Sequence, residues 1–267
     1  MTPPLAANRP FRLGLMAALP EELQAVLDLM PDEHRERMAN RDFWPGHLSG
    51  VDVVAVVAGI GKVAAATTAT LLLERFGVDG MVFTGVAGGL GTGVKVGDVV
   101  VATHLLQHDM DASPLFPRHV VPGHALDRWA AHPDWCHQLV DAAQRTLADL
   151  PTLIGTEAMT RQGLHHPTVH QGLIISGDRF VCTQPESAAL RERLPDALAV
   201  EMEGAAVAQV CADFGCPLAV VRTISDRADD DAHRDFLGFV NDVASRYSAH
   251  IALAAVPQLQ LMRHSFT

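Results

Sequence analysis

Lysine is nearly absent from this chain. Lys62 and Lys95 are the only two in 267 residues, and a formal net charge of −11 leaves no basic surface for a phosphate backbone, which excludes nucleic acid as a partner. Cysteine is scarce too: Cys136, Cys182, Cys211 and Cys216 show no C-x-x-C spacing, so the chain reads as cytoplasmic with free thiols. The stretch holding Pro3, Pro4, Asn8, Arg9 and Pro10 lacks the apolar core of a signal peptide. No uninterrupted apolar run reaches the ~20 residues that span a bilayer, because Lys62 and several threonines break the longest one, so no membrane partner is expected. Nor does a Ser-, Pro- or Gly-rich linker divide the sequence, and it holds no repeats. A single domain over residues 1–267, with its core at about 12–255, is the expectation.

The 14 histidines raise the question of a metal centre, above all His165, His166 and His170. They sit in a polar stretch around Pro167 with neither an H-E-x-x-H pattern nor a cysteine partner, so no metal and no cofactor is expected.

What is abundant is apolar sequence, at 48% of residues. Short β-branched or apolar runs at 13–17, 51–57, 81–84, 99–102, 173–176 and 218–221 predict buried strands. Helical patterns lie between them at 21–30, 62–75, 135–147 and 203–214, with a last one from about Asp235 to Ala255. Gly77 and Gly215 mark two helix ends. The region 104–161 reads as loops plus one helix. Strands alternating with helices predict an α/β fold, and ligands in such folds collect beyond the carboxyl ends of the strands.

Three acidic constellations fall at those ends: Pro20-Glu21-Glu22, Glu201-Met202-Glu203 and Ile224-Ser225-Asp226. Paired carboxylates suit glycosidic hydrolysis, in which one activates water and another protonates the leaving group. Each also has a structural reading. Glu22 would suit the first turn of a helix, Asp226 an N-cap or turn, and Glu203 a buried ion pair with Arg222.

Two glycine clusters accompany the acids. Gly59-Ile60-Gly61-Lys62-Val63-Ala64 matches a weak dinucleotide fingerprint, but it follows the second strand, and no acidic residue ends the next one. Lys62 also lacks P-loop context. Thr84-Gly85-Val86-Ala87-Gly88-Gly89-Leu90 serves equally for close ligand approach or for a close strand crossing.

Together these residues resemble the methylthioadenosine/S-adenosylhomocysteine nucleosidases, within the purine and uridine nucleoside phosphorylase superfamily. The likeness runs through 14–18 with Glu21-Glu22, 58–65, 84–89, Val96-Gly97-Asp98, Ser176-Gly177-Asp178-Arg179-Phe180, 200–203 and Ile224-Ser225-Asp226, and covers about residues 12–255. It implies a three-layer α/β/α sandwich around a mostly parallel, mixed sheet, a homodimer, and hydrolysis of the bond between adenine and a ribose modified at its 5′ sulfur. In that scheme Glu22 is the general base and Asp226 the general acid. Glu203 binds the ribose hydroxyls and Met202 packs on the sugar. Phe180 stacks on adenine, Val181 reads its edge through the backbone, and Leu19, Val86, Gly88 and Ser225 complete the substrate site.

Physical chemistry asks the same of those positions. An oxocarbenium-like state wants a carboxylate near the sugar and a protonated acid near the base, so Asp226 must be enclosed to keep its proton. A phosphorylase would need arginines around an anion pocket. The carboxylate of Glu22 opposes that, at roughly 4 kcal/mol per phosphate charge for about 4 Å and an effective dielectric near 20. Val86 stands where the resemblance leads one to expect serine, and 108–118 departs from the family's loop after His108-Asp109, which leaves the preferred 5′ substituent open. A phosphorylase, a futalosine-type nucleoside hydrolase and a non-catalytic adenosine-binding module are the alternatives.

Overall fold

The structure, a computed structural model, describes residues 9–229 and 236–262. Its first half runs β1 (Arg12–Ala17), α1 (Pro20–Leu27), β2 (Glu36–Met38), β3 (Arg41–Leu48), β4 (Val51–Val57), α2 (Lys62–Glu74), β5 (Gly80–Gly89), β6 (Val99–Gln107) and β7 (Arg128–Ala130). There follow α3 (Pro133–Ala148), α4 (Leu150–Ile154), α5 (Thr156–Arg161), β8 (Val169–Ser176), α6 (Gln184–Arg193), β9 (Ala197–Glu201), α7 (Gly204–Phe214) and β10 (Leu218–Asp226). A last helical stretch comprises α8 (Phe236–Phe239), a π-helical turn at Val240–Ala244, and α9 (Ser245–Leu261).

Among the described residues ten strands join one mixed sheet. β1 lies between β4 and β5, parallel to both. β5 then pairs with β10 in parallel and with β9 antiparallel, and the series β10-β6-β8-β9 returns to β5. Those five strands close into a ring, so the sandwich sheet curls on itself at one end. α1 and α3 pack on α9 as one helical layer, and α2 packs on α7 as the other. With both faces covered, consecutive residues are buried: Leu13, Leu15, Met16 and Ala17 in β1 and Val53 to Val56 in β4 are fully enclosed.

All six expected strands are present, and four of them, β5, β6, β8 and β10, run several residues further than their apolar cores. β5 continues five residues past Thr84, so the second glycine cluster is strand rather than loop. Its small residues allow a strand with three neighbours: a Cβ on Gly85 would stand 2.9 Å from that of Ala18, and one on Gly89 would stand 3.1 Å from Ile224. β9 supplies the strand end at which Glu201-Met202-Glu203 was expected, while β2, β3, β7 and α6 are unexpected. Pro45 and Gly46 disguise β3, yet β2 pairs only with Arg41 to Phe43, so Pro45 needs no donor on that side. α6 buries only Ser187 and Leu190 and so shows no apolar stripe. The region 104–161 is more regular than expected, with the end of β6, β7 and three helices. The last helix runs past Ala255 to Leu261, and its expected start at Asp235 lies outside the described residues.

All four cysteines are free, and His170 is taken up by a 2.8 Å contact with Asp98. Among the described residues no helix is long and apolar enough to cross a membrane.

Candidate active site

The carboxyl ends of β1, β4, β5, β8, β9 and β10 meet around one cavity. Nine of the ten residues singled out from the sequence line it: Leu19, Val86, Gly88, Phe180, Val181, Met202, Glu203, Ser225 and Asp226. Glu22 does not.

A strand irregularity puts the acid there. Neighbouring residues of a regular strand face opposite ways, yet Ser225 and Asp226 both reach the cavity. The register against β5 slips between Ile224, opposite Ala87, and Asp226, opposite Gly88, and this bulge re-aims the side chains. Asp226 is 7% exposed. Ser225 Oγ donates to its Oδ2 and the Ala228 amide to its Oδ1, each at 2.7 Å. Burial still raises its carboxyl above the usual range, helped by the nearby Asp229. The hydroxyl missing at Val86 is thus matched by one from Ser225.

Glu201 and Glu203, two residues apart, do different work. Glu201 is the partner of Arg222: its Oε2 lies 2.8 Å from Nη2 of a guanidinium that is wholly buried. Glu201 also accepts from Ser176 Oγ and from the amides of Glu203 and Gly204. The ion pair considered for Glu203 therefore belongs to Glu201, because the turn into α7 carries Glu203 onward to the cavity. Glu203 accepts from the Gly61 amide at 2.8 Å. Its carboxyl is raised to about 7, first by burial and then by the charge of Glu201.

Arg222, expected only as an ion-pair partner, anchors this arrangement. A lone arginine in the apolar run of β10 signals a buried charge that must be satisfied. Its Nη1 donates to the Phe83 and Val221 carbonyls, and the guanidinium sits 4.0 Å over the Phe83 ring.

Glu22 lies one layer beneath the cavity wall. It is fully buried, and its Oε2 accepts from the amides of Leu19 at 3.0 Å and Ala18 at 3.2 Å, both of them wall residues. The structural reading thus also holds, since this is the third helical residue reaching back to the N-cap amide. Among the described residues its Oε1 accepts from no partner. Burial pushes the carboxyl up to about 7 against the two amides and the charge of Arg222. Glu21 instead faces an outer groove with Gln24 and Asp28. A carboxyl that holds its proton more tightly folded than unfolded loses stability as pH rises from about 4.5 to about 7. Glu22→Gln should therefore be more stable than the parent above pH 7, by up to about 3 kcal/mol, in urea denaturation at pH 8. Equal stabilities there would show that burial does not penalise the charge.

The dinucleotide fingerprint also resolves. In a nucleotide site the first amides of α2 would receive phosphate. Here the Gly61 amide goes to Glu203 and the Lys62 amide to Asp178 Oδ1 at 2.7 Å. The chain's own carboxylates occupy the anion site.

The chain matches the family described as the phosphorylase superfamily over residues 12–257. It is 32% identical over 253 residues to the 5′-methylthioadenosine/S-adenosylhomocysteine nucleosidase of Shewanella oneidensis, an alignment covering 94% of this chain and 98% of that protein. The chain belongs to this nucleosidase family. Among solved relatives, the nucleosidase from Neisseria meningitidis in complex with methylthio-immucillin-A superposes with a TM-score of 0.79 at 31% identity, covering 92% of this chain and 99% of that one. The futalosine hydrolase of Helicobacter pylori superposes with a TM-score of 0.77 at 31% identity, covering 93% and 98%. The nucleosidase fold thus accounts for the three layers.

Proposed function

We propose that this nucleosidase hydrolyses the N-glycosidic bond of 5′-thio-substituted adenosines, methylthioadenosine and S-adenosylhomocysteine, to adenine and the thioribose. The observation that carries the reading is the buried Asp226, its proton favoured by its surroundings, in the same wall as Glu203 and Phe180. Asp226 protonates the departing base. Glu203 binds the ribose hydroxyls and Met202 covers the sugar. Phe180, 45% exposed at the rim, offers its face to adenine, while Val181 reads the base edge. Glu22 serves as general base through its unshared Oε1, reached past Ala18 and Leu19. Leu19, Val86 and Gly88 enclose the nucleoside, and Ser225 orients the acid.

Water rather than phosphate is the nucleophile. Arg179, the cation among the described lining residues, is paired with Glu186, which leaves the described wall without an arginine for an anion pocket. Adenine release from methylthioadenosine should proceed in phosphate-free buffer and be unchanged by added phosphate, with free thioribose as the sugar product. A sugar phosphate product would replace this assignment with a phosphorylase. The likeness to futalosine hydrolase favours a second reading, futalosine-type nucleosides, and comparing kcat/KM for the two substrate types decides between them.

The reading extends to a single cytoplasmic domain that works as a homodimer without a cofactor. Ile60, Val63, Leu115 and Phe116 support the dimer, being large, apolar and exposed.

A further inference from the structure

The acid, the base and the sugar-binding carboxylate leave unexplained a group of charges that ties three loops together at the cavity mouth. Lys62 Nζ donates to Asp109 Oδ1 at 2.6 Å and to Gln107 Oε1 at 3.2 Å, and lies 4.0 Å from Asp178 Oδ2. The Lys62 amide donates to Asp178 Oδ1, and the Asp178 amide donates to Asp109 Oδ2 at 2.9 Å. Gln107 passes the connection to Gln209 of α7 at 2.8 Å. The turn after β4, the end of β6 and the loop after β8 are thereby joined.

An isolated surface ion pair would contribute little. This one is partly shielded, with the Lys62 side chain 17% exposed and that of Asp109 33%. Burial alone would raise the Asp109 carboxyl, but the Lys62 ammonium and the Asp178 amide outweigh it and hold it below the usual range. Steric fit points the same way. Gly61 has φ +88°, and a Cβ there would stand 3.0 Å from Asp178 Oδ1, while one on Gly177 would stand 2.3 Å from the His108 ring. Both glycines allow the loops to lie in contact.

Phe180 is two residues beyond Asp178. Its ring is half-exposed and touches Phe236 edge-on at 6.3 Å between centroids, so side-chain packing holds it weakly. The backbone must place it, and Asp178 anchors that backbone. The turn that carries Lys62 also delivers the Gly61 amide to Glu203.

We propose that Lys62, Asp109 and Asp178 form a positioning clasp that sets the spacing between the Phe180 face and the sugar-binding Glu203, and so fixes nucleoside affinity while leaving proton transfer alone. None of the three lines the cavity. Stacking on the base is made alike in ground and transition states, so its loss appears in KM rather than kcat. The substrate identity used here rests on the function proposed above; the clasp itself does not.

Two measurements test it. With methylthioadenosine, Lys62→Met and Asp109→Asn should raise KM about tenfold, the effect of losing one positioned charge-assisted hydrogen bond, with kcat within about threefold. Lys62→Arg, which keeps the cation, should recover most of the affinity. Without any nucleoside, hydrogen exchange of the amides at 177–181 should quicken in Lys62→Met while β1 and β4 keep their protection. Unchanged exchange at 177–181, an unchanged KM, or a kcat loss at constant KM overturns the clasp. A parent enzyme that cleaves no adenosine overturns the proposed function instead, and the exchange measurement still decides the clasp.

Discussion

Asp226→Asn should lower kcat by about 10²–10⁴, the range a well-placed general acid supplies, and Glu22→Gln should lower it at least about a hundredfold. Asparagine keeps its carbonyl oxygen to accept from the Ala228 amide, and its NH2 donates to Ser225 Oγ in place of the bond that Asp226 accepts, so Asp226→Asn tests the proton rather than the fold. The pH profile divides the two roles. Glu22 must be ionised to take a proton from water, so kcat/KM should fall as pH drops through about 7, where Glu22 and the nearby Glu203 both titrate. Burial favours the Asp226 proton, so Asp226→Asn should lose the pH dependence that this carboxyl contributes and keep the acidic limb that belongs to Glu22. An Asp226→Asn enzyme with full kcat, or with the parent's pH profile unchanged, would assign the leaving-group proton to another residue. A fully active Glu22→Gln would leave Glu22 only its hydrogen bonds to Ala18 and Leu19 at the start of α1.

The parts of this molecule legible in its sequence are those where one local signal was enough. Fully apolar runs such as Val51–Val57 marked strands whose faces are both covered, and an acidic residue just past such a run marked the end where a ligand site forms. Less legible was whatever depends on a partner distant in the chain. β3 is a strand because β4 pairs with it, despite Pro45 and Gly46. Thr84 to Gly89 remains strand because β10 and β9 flank it. The same limit applied within the site: Glu201 and Glu203 look equivalent in Glu-Met-Glu, and only Arg222, 21 residues downstream of Glu201, distinguishes them. Glu22 was visible as a carboxylate at a strand end, but its withdrawal beneath Ala18 and Leu19 depends on the helix start and could not be read from residue types.

Arg222→Met should destabilise the protein by about 3–5 kcal/mol, because it leaves Glu201 buried without its counter-charge. Methionine fills much of the stem's volume over Phe83, so the loss reports the charge more than a cavity. Glu201→Gln should be costly for the converse reason, a guanidinium without its carboxylate. The double variant should recover much of both losses, since replacing a buried pair by uncharged groups is often close to neutral. Urea denaturation of the four proteins gives the coupling energy directly, and additive losses would mean that the two side chains act separately despite their 2.8 Å contact. The guanidinium also faces the chemistry, since its charge lowers the carboxyls of both Glu22 and Glu203. Without it both should titrate above about 7, which moves the acidic limb of the activity profile to higher pH and widens the range over which rising pH destabilises the fold. A limb that stays in place in Arg222→Met would show that burial alone sets those two carboxyls, and that the arginine in β10 serves the frame of the cavity without tuning the acids beside it.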